Sequence, residues 1–296
     1  MFNFEDRVAI VTGAGGGLGR AHALALAERG VKVVINDVGG VAGARAVVDE
    51  ITSAGGTAVP DSTDITDLVA VENMVTATIE RWGRVDILIN NAGILRDKSF
   101  AKMELTDFRA VMDVHLMGSV HCTNAVWPHM VEQGYGRILM TTSASGIYGN
   151  FGQSNYGAAK SALVGLTNVL AIEGERKGIR VNALAPTAAT QMTDGLLDAE
   201  AAAKLGPGTI APGAVFLVSD DAPTGVILGA GAGVFALSKM VEGPAIHLPD
   251  EARSAEEIAA RWAELDDFGG LRSHTSAFEQ TSHYVQVASA AKGAKV

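Results

Sequence analysis

The 296-residue sequence contains one cysteine, Cys122. A lone thiol excludes a disulfide framework and a cysteine-ligated zinc site, and it fits a reducing cytoplasm. Bases are also scarce: 23 Lys and Arg against 33 Asp and Glu leave a net charge of −10. An acidic surface argues against nucleic acid and anionic lipid as partners. Long hydrophobic runs are absent. The longest, residues 226–237, is short and full of Gly and Ala, whereas a membrane span needs about 20 apolar residues. The opening MFNFEDR carries two acids and no apolar run, unlike a secretory signal, and the ending AKV matches no lipidation or peroxisomal address. No proline- or serine-rich linker and no internal repeat divides the chain, and no cluster of residues suggests a metal. The expected protein is therefore cytoplasmic, with no membrane span.

What is present is a large apolar fraction, 48%, and many glycines, 35, against a usual glycine share of ~7%. Apolar runs alternate with longer amphipathic segments. Strands are predicted over 8–11, 31–36, 57–59, 85–89, 137–142, 180–184 and 234–237. Helices are predicted over 17–29, 42–54, 68–82, 107–130, 153–177 and 212–218, with Gly30 and Gly178 as stops. Strands alternating with helices indicate βαβ units, and fully apolar strands indicate a parallel sheet covered on both faces. The fold class is α/β, a doubly wound, Rossmann-like sheet in one domain over 1–240. An extension over 241–296 follows. Within it, 254–267 opens with a capping-box pattern, and the last two dozen residues look loosely specified.

The glycines concentrate at predicted strand ends. Between the first strand and helix lies Thr12-Gly-Ala-Gly-Gly-Gly-Leu-Gly19, where a tight turn would bring backbone N–H groups against a pyrophosphate at a helix N-terminus. Gly13, Gly16, Gly17, Leu18 and Gly19 are the candidate contacts. Asp37 follows the second strand, where a carboxylate can accept both ribose hydroxyls and repel a 2′-phosphate, so NAD rather than NADP is expected. Asp64 and Ile65 are candidates for the adenine edge. Asn91, Ala92 and Gly93 would bring backbone close to the cofactor. Farther along, Tyr156 and Lys160 stand four apart in a helical stretch and share a face, and Ser143 ends the preceding strand. Alcohol oxidation requires removal of a proton, and free tyrosine with a pKa near 10 is a poor base. A lysine ammonium and a positive nicotinamide would lower that pKa while the serine holds the substrate oxygen.

In TGAGGGLG, Asn-Asn-Ala-Gly and Ser143…Tyr156-x-x-x-Lys160, taken in that order, the chain resembles the short-chain dehydrogenase/reductase family. The resemblance implies that Tyr156 is the catalytic acid/base, that Lys160 binds the ribose and tunes the tyrosine, and that Ser143 orients the substrate. Pro186 and Thr187 fall on a loop that the family places at the nicotinamide, although the family often has glycine after the proline. A narrower likeness, in residues 36–40, 90–103, 143–156 and 256–268, is to the (3R)-hydroxyacyl-CoA dehydrogenase subgroup of type 2 peroxisomal multifunctional enzymes, also named as 17β-hydroxysteroid dehydrogenases. Where the family's fourth catalytic residue is asparagine, this chain has His115, a trait the subgroup shares. The implied activity is NAD-dependent interconversion of a secondary alcohol and a ketone, first a (3R)-hydroxyacyl-CoA and its 3-oxo form, by a stand-alone dehydrogenase. A hydroxysteroid or sterol side-chain-CoA substrate stays open. A 3-oxoacyl carrier-protein reductase is disfavoured by Asp37, and a non-catalytic NAD-binding protein by the intact Ser143, Tyr156 and Lys160. The partners implied are a small-molecule substrate and further copies of the chain, as homodimer or homotetramer with the extension packed on or between subunits.

Overall fold

The computed structural model describes residues 2, 4–39, 41–189 and 199–293. Gly40, the ends of the opening segment at Met1 and Asn3, and the final AKV lie outside the described residues. The chain divides into two compact units, Met1–Ser238 and Lys239–Val296.

In the first unit, β1 (Val8–Thr12), β2 (Lys32–Asn36), β3 (Thr57–Asp61), β4 (Ile87–Asn90), β5 (Gly136–Thr141), β6 (Ile179–Pro186), β7 (Ile227–Gly231) and β8 (Val234–Ser238) make one sheet. Among the described residues its order is β3-β2-β1-β4-β5-β6-β7-β8, parallel except for the β7–β8 pair. Every residue of β1, β4 and β5 is buried, because successive side chains enter different cores. Ala9, Val11, Ile87 and Ile89 face one core, and Ile10 and Leu88 the other. The first core is closed by Leu26 of α1 (Gly17–Ala27), Val47 and Ile51 of α2 (Val41–Ser53) and Leu217 of α9 (Ala211–Leu217). Val71 of α3 (Leu68–Trp82), Val126 of α5 (Gly118–Gln133) and Leu163 of α7 (Ser154–Gly174) close the second. Two covered faces demand continuous apolar strands, which is why the sequence pattern was readable.

The chain lays β2 and β3 on one side of β1 and then returns to the other side as β4. That reversal opens a crevice at the C-terminal ends of β1 and β4, where ligands of such folds bind. At the opposite end Asp86 is buried and tied to Val8 N (2.9 Å), Arg7 Nη1 (3.1 Å) and Arg84 Nη2 (2.6 Å), which fixes the start of β4 against β1.

Four expectations need revision. The helix expected over 107–130 is two helices, α4 (Leu105–Met112) and α5, joined by a wider π-type turn, Asp113–Met117. The stretch expected to hold one weak strand is a hairpin. Ala232 and Gly233, with φ of 51° and 75°, form its two-residue turn between β7 and β8, the positive-φ pair that such a turn requires. In the second unit, Ser254 does cap a helix, accepting from Glu257 N at 3.1 Å, but the segment divides into α10 (Ala255–Ala260) and α11 (Trp262–Leu265). The end of the chain, read as loosely specified, forms α12 (Ala277–Gly293). Its start is secured by Ser276 Oγ, which accepts from Glu279 N (3.3 Å), and by Glu279 Oε2, which accepts from Thr275 N (2.7 Å). Two short helices, α6 (Ala144–Tyr148) and α8 (Ala199–Lys204), complete the set named here.

Candidate active site

The loop after β1 turns so closely that two of its glycines leave no space for a side chain. A Cβ on Gly13, where φ is +62°, would lie 2.7 Å from Ala92 Cα, and one on Gly19 would lie 2.2 Å from Gly13 O. Across the crevice Asn91 Nδ2 donates to Thr12 O (2.9 Å) and Gly13 O (3.1 Å). Thr12 Oγ1 accepts from Asn91 N (3.0 Å) and Ala92 N (3.1 Å). The ends of β1 and β4 are thus locked together. Gly16 caps α1 without a side-chain hydrogen bond, a Cβ placed there would meet nothing within 4 Å, and Gly17 takes φ +53°. The first N–H groups of a helix lack partners within it, so this open cradle suits an anion. Leu18 packs against the first core.

Asp37 is fixed to the cradle. Its Oδ2 accepts from Gly15 N (2.9 Å) and its Oδ1 from Gly39 N (2.8 Å), and each oxygen keeps acceptor capacity for a hydroxyl. The residues therefore fit a dinucleotide, with backbone donors for the pyrophosphate and a carboxylate one strand away for a ribose. Asp61 escaped the sequence reading. Its Oδ1 accepts from Asn36 Nδ2 (2.7 Å) and Thr63 N (2.9 Å), joining the ends of β2 and β3 beside Asp37. Only the sheet register, which pairs Asn36 with Asp61, reveals it.

The other expected contacts are placed as follows. Asp64 Oδ1 accepts from Thr66 N (2.9 Å) in a turn leading to Asp67, which caps α3 at Ala70 N (3.1 Å). Ile65 is buried against Gly118, where a Cβ would lie 2.5 Å from Ile65 Cδ1. Pro186 ends β6, and Thr187 N donates to Ala230 O (2.8 Å), holding the following loop to β7. Gly93 faces not open space but the His115 ring, with a Cβ position 2.2 Å from His115 Cε1.

Ser143, Tyr156, Lys160 and His115 converge. Ser143 follows β5 and caps α6, its Oγ accepting from Ser145 N (3.2 Å), and its hydroxyl lies close enough to that of Tyr156 to favour the phenolate. Tyr156 and Lys160 share a face of α7, and Lys160 Nζ lies 5.6 Å from the Tyr156 ring centroid. Lys160 is 3% exposed, and its ammonium donates to Thr141 O. The His115 ring stands edge-on to that of Tyr156, at 5.2 Å and 88°. Asn90 Oδ1, Thr141 Oγ1 and His115 Nδ1 are buried without a partner among the described residues. Orphaned buried polar atoms mark places that receive polar groups.

Residues 7–201 match the sequence model of the family described as short chain dehydrogenase. The chain belongs to the short-chain dehydrogenase family. It is similar to peroxisomal multifunctional enzyme A of Dictyostelium discoideum, 43% identical over 95% of this chain and 64% of the relative. Among solved structures, full-length peroxisomal multifunctional enzyme type 2 of Drosophila melanogaster superposes with TM-score 0.83 and 40% identity, over 96% of this chain and 50% of that one. A 7α-hydroxysteroid dehydrogenase complexed with NADH and 7-oxo glycochenodeoxycholic acid superposes with TM-score 0.71 and 33% identity, over 78% of this chain and 95% of that one. The chain thus spans between about a third and two thirds of the length of the multifunctional relatives it matches.

The electrostatics of this dehydrogenase depart from the sequence reading. Burial lifts the Tyr156 phenol above its usual pKa, the Ser143 hydrogen bond opposes the rise and Asp97 adds to it. A lowering by Lys160 was expected. The reason for the difference is that Lys160 is itself buried, which brings its own pKa down to about 7, so its positive charge is only partly present at neutral pH. His115 is lowered to about 3, by burial first and by Lys160 second, with the Ile94 backbone bond opposing. Among the described residues no group of three or more His, Cys, Asp or Glu could hold a metal ion, and no helix is long and apolar enough to cross a membrane.

Proposed function

We propose that the protein is an NAD-dependent dehydrogenase that interconverts a secondary alcohol and a ketone, with a (3R)-hydroxyacyl-CoA and its 3-oxo form as the first substrate pair. The observation that carries the chemistry is the convergence of the Ser143 and Tyr156 hydroxyls with Lys160 on the next turn, at the sheet edge that also bears the glycine cradle. The Ser143 and Tyr156 hydroxyls hold the substrate oxygen, and Tyr156 takes the hydroxyl proton in the oxidative direction. Lys160 holds a ribose hydroxyl and supplies positive charge beside the phenol. Gly13, Gly16, Gly17, Leu18, Gly19 and Asp37 would hold the cofactor, with Asn91, Ala92 and Gly93 lining the crevice, Asp64 and Ile65 toward the adenine, and Pro186 and Thr187 toward the nicotinamide. NAD, when bound, supplies the acceptor for the hydride that leaves the carbinol carbon, together with a positive ring that favours the phenolate. The preference for NAD rests on Asp37, whose fixed carboxylate would repel a 2′-phosphate.

The acyl-CoA choice is supported by the likeness to the multifunctional enzymes. The likeness to a 7α-hydroxysteroid dehydrogenase favours a steroid as the second reading. We also propose a cytoplasmic homodimer or homotetramer, for which light scattering gives the mass. The deciding assay follows nicotinamide absorbance with NAD and NADP across 3-hydroxyacyl-CoA thioesters and hydroxysteroids. NAD-linked thioester turnover is the expected result. Steroid turnover alone would replace the substrate, and a strong NADP preference would overturn the role of Asp37. A Tyr156→Phe enzyme should keep NAD binding and lose turnover by about 10²–10⁴-fold; undiminished turnover would remove Tyr156 from the reaction.

A further inference from the structure

A histidine at position 115 needs several accommodations, and the fold supplies each of them. The π-type turn Asp113–Met117 sits between α4 and α5 and carries His115; such turns tend to occur at functional sites. Ser119 Oγ donates to His115 O at 2.7 Å, satisfying a carbonyl in the irregular turn. Gly93 leaves open the volume that His115 Cε1 occupies, since any Cβ there would approach within 2.2 Å. On the far side of the ring, Nε2 lies 3.0 Å from Ile94 N and 2.8 Å from Ile94 O, so one of these backbone groups is its partner in either neutral tautomer. The ring is 1% exposed. It is thus clamped between the segment after β4 and α7, where it meets the Tyr156 ring edge-on at 5.2 Å and 88°.

We infer that His115 is a positioning residue, an aromatic brace that holds the Tyr156 ring at the angle from which its hydroxyl meets Ser143. The inference rests on the dehydrogenase reading given above. Edge-to-face aromatic pairs prefer this geometry, and the clamp at Gly93 and Ile94 gives the brace little freedom to swing. Within the brace the imidazole serves as a ring and not as a proton carrier. Its Nδ1 has no partner among the described residues, and burial keeps it neutral through the working range of pH. The titratable or charged groups around Tyr156 come from three elements: Lys160 from α7, Asp97 from the segment after β4, and His115 from the π-type turn. Only the Ser143 contact lowers the phenol's pKa in the free protein. Loosening the ring therefore raises the pH at which the base becomes available.

The test compares His115→Ala, His115→Phe and Gly93→Ala in the full-length protein, by kcat, KM and the pH profile of kcat/KM for alcohol oxidation. Dinucleotide affinity by protein fluorescence and thermal melting are measured alongside. His115→Ala should lower kcat by about 10–100-fold, the scale of a catalytic group misplaced by an ångström, and move the profile to higher pH. His115→Phe, which keeps a ring and has no ring nitrogen, should recover most of kcat and return the profile to the wild-type position. Gly93→Ala leaves His115 chemically intact but displaced, and should reproduce the alkaline shift. If phenylalanine performs no better than alanine, or if alanine lowers kcat without moving the profile, the brace is wrong. If His115→Ala does not fold, Gly93→Ala against His115→Phe decides the question on the same terms. A wild-type protein that oxidises no alcohol defeats the proposed function; an active wild type matched by an active, unshifted alanine variant defeats the brace alone.

Discussion

His22 gives the most direct handle on how this fold responds to acid. It lies on α1, is fully buried, and neither ring nitrogen has a partner among the described residues. Burial lowers its pKa from 6.5 to about 4. An unfolded chain takes up a proton at this histidine near 6.5, whereas the folded chain resists until about 4. The associated stability is therefore present above 6.5 and is lost as pH falls through that window. Between about pH 7.5 and pH 5 the difference amounts to about 2 kcal/mol from His22 alone, and His115, lowered to about 3, adds a similar amount. His22→Leu removes the first contribution and leaves the second. Urea unfolding of both proteins at the two pH values, at one protein concentration, gives four free energies. The loss on acidification should be about 2 kcal/mol smaller in the variant. Differences in packing between the two side chains contribute equally at both pH values and cancel. Equal losses in the two proteins would show that His22 meets water or a partner in solution, and the reasoning from burial would fail.

Lys160→Met should abolish turnover and yet stabilise the protein near neutral pH. It removes up to about 4 kcal/mol of penalty for holding an ammonium lowered to about 7, less about 1–3 kcal/mol for the lost bond to Thr141 O, and thermal melting reads the difference. Gly19→Ala puts a Cβ 2.2 Å from Gly13 O; dinucleotide affinity by fluorescence titration should fall by at least about tenfold, or about 1.4 kcal/mol. Asp86→Ala strips the partner from Arg7, Arg84 and Val8 N and should cost about 1–3 kcal/mol in urea unfolding, the scale for a buried donor left unsatisfied at Val8 N, because both guanidinium groups reach solvent.

The parallel sheet was legible because two covered faces force unbroken apolar strands, and β1, β2 and β5 declare themselves that way. β7 did not, because ILGAG carries two glycines, one of them at Gly231 where a Cβ would meet Thr187 O at 2.8 Å. A close backbone approach removed the side chains that announce a strand. α12 was hidden for another reason. Much of its surface is exposed, so no apolar stripe marks its period, although the capping pair Ser276 and Glu279 was there to be read. At the site, spacing alone brought out Tyr156 and Lys160. Asp61 beside Asn36, and Gly93 against His115, depend on sheet register and on a π-type turn, neither of which spacing encodes.

The direction of the Tyr156 shift in the ligand-free chain is the most instructive feature of the site. The i,i+4 spacing says that Lys160 is near the phenol, but it does not say how much charge Lys160 carries there. The burial that brings the two side chains together also removes water from both. It penalises the phenolate and the ammonium alike. His115 is neutral for the same reason. The free site therefore holds a neutral phenol, a neutral imidazole and a lysine amine only partly protonated at neutral pH, in fixed geometry, with the anion-accepting backbone donors of α1 and the Asp37 carboxylate held separately by Gly15 and Gly39. In such an arrangement the chain supplies position, desolvation and the partial charge of Lys160, and the rest of the charge that tips the phenol toward its base form comes with the ligand. Reactivity then depends on occupancy, which keeps a buried base from titrating when no substrate is there to use it.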